Sequence, residues 1–185
     1  MFTHLFHRLS TALHDRPVAP AAVAVSLALV TLAGCSNLKK YDVTFNDAAV
    51  YSPQTLFNDY RISDTALANC IEQAIKDFEV YTVNGLEILN CSDAGINSLA
   101  GLSQFRSLKR VKLSGNNIRN LVELSMMTDL VDIQLDGNRV VDSVPITSLP
   151  RVKRVNLFNN PAMQCNGLVK FRSGIQITAP EHCQS

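Results

Sequence analysis

Residues 86–173 read LEILNCSDAGINSLAGLSQFRS (86–107), LKRVKLSGNNIRNLVELSMMTD (108–129), LVDIQLDGNRVVDSVPITSLPR (130–151) and VKRVNLFNNPAMQCNGLVKFRS (152–173). Cut at this interval, the four blocks align without insertion or deletion. Places one, four, six, eleven, seventeen and twenty are apolar in every block. Place four holds Leu89, Val111, Ile133 and Val155; place six holds Cys91, Leu113, Leu135 and Leu157; place nine holds Ala94, then Asn116, Asn138 and Asn160. Alternation at places four and six points to a strand at the start of each block, since helices would space apolar residues three to four apart throughout. A fixed period of this length marks a solenoid whose units bury a core only by stacking.

These residues resemble the leucine-rich repeat family in the short-repeat form of bacterial internalin-like proteins. The resemblance implies an α/β solenoid in which one short strand per repeat joins a parallel sheet. Places four and six then point inward, while places two, three, five and seven face the other way. The place-nine asparagines suit a tight inward turn, because a buried amide both donates to and accepts from unpaired backbone groups. Ala94 breaks that column and puts the first turn's geometry in question. Leu99, Leu102, Phe105, Leu121, Leu124, Met127, Ile146, Leu149, Leu168 and Phe171 are expected to fill the convex side of the core. Residues 174–185 form an expected C-terminal cap, in which Ile177 and Ala179 start a fifth block and Pro180 stops it.

Working outward, Ser63-Asp64-Thr65 offers helix-capping oxygens, and Leu67, Cys70, Ile71, Ala74, Ile75 and Phe78 recur at helical steps. One amphipathic helix is expected within a 63–85 cap, with Val80–Val83 as a lead-in strand. It is placed to cover the first repeat's open core. Residues 35–62 show no period. They read either as a flexible tether or as a segment whose aromatics, Tyr41, Phe45, Tyr51, Phe57 and Tyr60, pack on the cap.

Residues 1–34 read as an export signal, with Arg8 and Arg16 in a polar lead and an apolar run from Val18 to Ala33. That run is short against the roughly twenty residues of a membrane span. Its end, Leu32-Ala33-Gly34-Cys35, resembles the lipobox of bacterial lipoproteins, which implies acylation of Cys35 and membrane attachment through lipid. Ser36, where inner-membrane lipoproteins typically carry Asp, favours an outer-membrane lipoprotein of the cell envelope, facing the periplasm or the cell surface.

Four cysteines remain after Cys35, an even number in an exported chain, and allow three pairings. Cys70 on the helix's buried face and Cys91 at an inward strand place would join cap to solenoid; Cys165 and Cys183 would close the other end. Metal binding has little support, since no CxxC spacing exists and His182 is the single histidine after Cys35.

Of 185 residues, 17 are basic and 16 acidic, for a formal charge of +1. This total carries no polyanion bias, so nucleic acid is not an expected partner. Residues 36–105 lean acidic and 106–185 lean basic. With one histidine after Cys35 and no glycine-rich phosphate loop, no catalytic set or cofactor site is expected. Asp132 and Asp136 are the one imaginable carboxylate pair. The expected role is a monomeric, lipid-anchored domain that binds another protein through outward strand places: Arg110, Lys112, Asp132, Gln134, Arg154, Asn156 and Phe158. The competing role is a structural or glycan-holding spacer without a specific protein partner.

Overall fold

The computed structural model describes residues 43–51 and 54–184; Cys35 and the export signal lie outside them. The chain divides into two compact units with the boundary after Gln54. In the first, β1 (Val43–Phe45) and β2 (Ala48–Tyr51) pair antiparallel. Asn46 and Asp47 both adopt positive φ between them, the conformation of a two-residue hairpin turn that favours these side chains. The Asn-Asp pair was the available sequence signal, and a search for periodicity passes over it.

The second unit opens with a stretch that belongs to the core and not to a tether. Phe57 and Tyr60 set their rings edge-on against Phe105, with centroids 6.2 and 5.4 Å away. The Phe57 amide donates to Val80 O at 2.8 Å. Of the two readings of 35–62, the packed one describes the part from Thr55 onward, which belongs to the folded unit, while residues 35–42 lie outside the described residues.

The helix α1 (Thr65–Asp77) buries Leu67, Ile71, Ala74 and Ile75. Asp64 caps it and does more. One carboxylate oxygen accepts from Leu67 N at 3.0 Å, and the other accepts from Asn97 N and Ser98 N at 2.9 and 3.0 Å. A single side chain thus ties the helix N-terminus to the first repeat's turn. The helix ends in a Schellman motif: Val80 N donates to Ile75 O and Glu79 N to Lys76 O, with Glu79 at a φ of 49°. Val80 is buried as the closing residue of this motif, beside Ile75. This replaces the lead-in strand expected over Val80–Val83, where a 3-10 turn, Val83–Gly85, stands instead. Phe78, expected on the buried face, is 60% exposed as the helix turns away.

Five strands follow: β3 (Ile88–Asn90), β4 (Arg110–Lys112), β5 (Asp132–Gln134), β6 (Arg154–Asn156) and β7 (Gln176–Thr178). They form one parallel sheet in sequence order, and each pairs with the next at the repeat interval, so Leu89, Val111, Ile133, Val155 and Ile177 stack in one row. Convex turns complete the repeats: 3-10 turns at Leu102–Gln104, Val122–Met126 and Cys165–Lys170, and the one-turn α2 (Val144–Thr147) with Pro145 in its first turn. The expected convex residues are buried from Leu99 to Leu149, while Leu168 and Phe171 are only partly covered. In the fourth block Met163 is buried in place of Ala162, which is exposed at place eleven.

The asparagines reach backward. Asn116 accepts from Ala94 N and Ile96 N and donates to Cys91 O and Leu113 O. Asn138 bonds Ile118 N, Leu113 O and Leu135 O; Asn160 bonds Val140 N, Leu135 O and Leu157 O. Each amide therefore satisfies the turn of the preceding repeat as well as its own. Ala94 opens the stack and has no preceding repeat to hold, so its own turn is intact, supplied by Asn116. Place eight supplies the other turn requirement. Asp93, Gly115, Gly137 and Asn159 all have positive φ, and these are the residue types that tolerate it.

Two disulfides close the unit: Cys70–Cys91, between α1 and the end of β3, and Cys165–Cys183, with Cα separations of 5.8 and 5.4 Å. They are the pairing that the repeat register favours. Loops of 21 and 18 residues each correspond to about 3 kcal/mol in the chain-entropy treatment.

Two outcomes follow for stability. Asn116→Ala strands buried backbone groups and should lower stability by ~1–3 kcal/mol, whereas Asn97→Ala, on an exposed side chain, should cost far less; denaturant midpoints compare them, and equal midpoints would contradict the ladder. Asp64 gives a pH signature. Burial by itself raises the carboxyl's pKa, but the backbone N–H groups of Leu67, Asn97, Ser98 and Ala66 together outweigh it and hold the group below its ordinary value. The folded pKa is depressed, so the contribution is present above the unfolded pKa near 4 and is lost as pH falls through the folded value. The melting-temperature gap between wild type and Asp64→Asn should be constant above about pH 5 and shrink in more acidic buffer. A gap independent of pH would refute the carboxylate's role.

Candidate protein-binding face

Outward side chains of parallel in-register strands line up in columns across the sheet, one residue per repeat. Place three runs Ile88, Arg110, Asp132, Arg154 and Gln176. Place five runs Asn90, Lys112, Gln134 and Asn156, and place seven runs Ser92, Ser114, Asp136 and Phe158. The structure brings the seven expected residues onto this one surface and then sorts them by their hydrogen bonds.

Asp132 is engaged. Arg154 donates to its Oδ2 through both Nε, at 3.0 Å, and a terminal nitrogen, while Gln134 donates to Oδ1 at 2.6 Å. The carboxylate is the covered partner, 14% exposed against 58% for the arginine. Asp136 holds a second lateral network: it accepts from Ser114 Oγ at 2.6 Å and Asn156 Nδ2 at 3.1 Å, and so links three successive repeats. Asn156 in turn accepts from Phe158 N at 3.1 Å. The two aspartates are thus anchored by partners on their own and neighbouring strands. These columns were readable in the sequence; their lateral bonding was not considered there, and it removes Asp132, Gln134 and Asn156 from the freely presented set.

Arg110 and Lys112 are different. Both are exposed on β4, and among the described residues neither side chain has a hydrogen-bonding or ionic partner. Arg110 lies in register with Ile88, which is 37% exposed, and Lys112 with Asn90. At the far side, Phe158 is 41% exposed. The face therefore presents two unpaired cations beside an aliphatic side chain at one end and an aromatic ring at the other.

Among the described residues one cluster has metal-ligand types, Cys165, His182 and Cys183, with ligand atoms within 4.8 Å of one another. Both sulfurs are joined in the disulfide, and His182 Nε2 is hydrogen-bonded to Met163 O at 3.0 Å. A disulfide sulfur lacks the thiolate charge that makes cysteine a ligand, so this set does not fit a metal as it stands. Also among the described residues, no helix is long and apolar enough to cross a membrane.

The stacked strands, the asparagine ladder and the convex turns define a leucine-rich repeat solenoid. Among the solved structures it is similar to are internalins of Listeria monocytogenes. An internalin C2 shares 20% identity at a TM-score of 0.50, over 62% of this chain and 53% of that one. An internalin (inlF) shares 18% identity at a TM-score of 0.52, over 64% of this chain and 36% of that one. This chain thus spans about half and about a third of their lengths, and at these identities the likeness is one of fold. No family model matches the sequence, and no curated protein matches it.

Proposed function

We propose that this chain is a lipid-anchored domain of the cell envelope that binds another protein through its strand face. The observation that carries the reading is the contrast on that face: Asp132, Asp136 and Arg154 are held by neighbouring repeats, whereas among the described residues Arg110 and Lys112 have no partner, and Arg110 stands in register with the exposed Ile88. Unpaired cations beside exposed apolar side chains suit a protein surface with acidic groups around an apolar centre. Phe158 is of the aromatic type that anchors interfaces. Recognition is the whole mechanism, with no chemical step, and one copy of the chain suffices for it.

Two disulfides support an extracytoplasmic location. Lipid attachment at Cys35 rests on the Leu32-Ala33-Gly34-Cys35 motif, with Ser36 favouring the outer membrane. Several acyl chains at ~0.8 kcal/mol per buried methylene would make such an anchor effectively permanent.

Capture from detergent-solubilised envelopes tests the binding face. Arg110→Glu/Lys112→Glu should lose a specific protein that the wild-type chain retains, with unchanged thermal stability because neither side chain bonds among the described residues. Equal capture by both, or retention by glycan alone, would favour the spacer role and defeat this one. Metabolic labelling with palmitate tests the anchor: label should appear on the wild-type chain and vanish in Cys35→Ser, and persistence on the variant would rule out acylation there.

A further inference from the structure

Place two, one step before the outward strand places, forms its own column: Glu87, Lys109, Val131, Lys153 and Ile175. At its start the column neutralises itself, since Lys109 Nζ lies 2.7 Å from Glu87 Oε1. Toward the C-terminal end it does not. Lys153 falls between Val131 and Ile175, and among the described residues its ammonium has no partner.

Around Lys153 the surface sinks into two adjoining depressions of about 510 and 430 Å³, both bordered by Val131, Lys153 and Gly174. The first also meets Arg151, Val152, Arg172 and Ile175, and the second meets Arg154. Gly174 leaves the space open, since a β-carbon built on it would touch nothing. No carboxylate borders either depression among the described residues. Two of the four cations are compensated from outside the rim, Arg151 by Asp129 and Arg154 by Asp132. Lys153 and Arg172 are not. Arg172 is held in place by neutral groups, donating one terminal nitrogen to Leu149 O and Pro150 O at 3.0 and 2.8 Å. A fixed guanidinium loses little freedom when it meets a ligand, and its remaining N–H groups keep their fork geometry.

We propose that this double depression binds a phosphate group, with Lys153 as its central charge, the guanidinium of Arg172 as a positioned donor, and Val131, Val152 and Ile175 as an apolar wall for whatever carries the phosphate. Two uncompensated cations match the charge of a phosphate monoester near neutral pH. The site is distinct from the protein-binding face around Arg110 and Lys112, and it does not depend on that reading.

The test follows backbone amide shifts of the full chain during titration with inorganic phosphate at constant ionic strength, and separately with a short-chain phosphatidic acid below its micelle concentration. Saturable shifts at Ser173, Gly174 and Ile175 are expected. Lys153→Gln should weaken them about tenfold, the scale of one lost charge-assisted contact, and Arg110→Gln should leave them unchanged. Tighter binding of the phosphatidic acid would assign the ligand to a lipid headgroup, and equal binding would assign it to a soluble phosphate; both support the site. Shifts that never saturate, no shifts at all, or equal weakening by Arg110→Gln and Lys153→Gln would overturn it. Because both substitutions are on exposed side chains, unchanged melting temperatures confirm that the comparison is between folded proteins.

Discussion

The fold depends on the need to satisfy buried backbone groups at a turn that every repeat must make. A strand of three residues has few ladder bonds, and the chain then bends inward under the sheet, where carbonyls and amides meet neither water nor a neighbouring strand. One asparagine amide per repeat answers this by bonding Leu113 O, Leu135 O or Leu157 O of its own repeat and the corresponding groups of the one before. The consequence is directional. A repeat's turn is completed by its successor, so the repeats cannot be stable singly, and the stack needs a defined start more than it needs a consensus first turn.

That requirement explains the two ends. At the start, α1 lays Leu67, Ile71 and Ile75 over the first repeat's core, and Asp64 and the Cys70–Cys91 bond fix it there from both sides. At the finish, β7 adds a strand whose inward residue Ile177 is only partly buried, and Cys165–Cys183 holds the tail against the last convex turn. The aromatic contact of Phe57 and Tyr60 on Phe105 extends the cover upstream of the helix. With only a few repeats, end effects are a large share of the surface, so a strong cap at each end matters more here than it would in a long solenoid.

Much of this was legible in the sequence because the repeat interval converts linear position into spatial register. The buried columns, the strand pairing and the cysteine partners all follow from that conversion, and the convex residues through Leu149 obey it. Where the interval ceases to govern, so does the reading. Met163 takes the inward position of Ala162 in the last full block, and Val80 serves a helix-ending motif that local apolarity alone makes look like a strand. Thr55–Ile62 shows no pattern because it packs irregularly, through Leu56, Phe57, Tyr60 and Ile62, contacts with no periodic signature. The place-eight column of Asp93, Gly115, Gly137 and Asn159 was available, since these residue types share a tolerance for positive φ.

The candidate face was legible as a set of positions but not as a set of available groups. Register brings like places together, and whether a charge is free then depends on what the adjacent repeats carry at the same place. Asp132 lies between Arg110 and Arg154; it accepts from Arg154 and Gln134, and Arg110 stays exposed. Place two shows the same logic with a different outcome, as Glu87 meets Lys109 while Lys153 meets only Val131 and Ile175. In a solenoid the uncompensated member of a column is therefore a group left available for binding. The fold gives it no partner, its strand holds it in place, and leaving it alone costs little because it remains in water. The two proposed cationic sites, at β4 and at the turn into β7, both rest on such groups, while Glu87, Lys109, Asp132, Asp136 and Arg154 are engaged with neighbouring repeats.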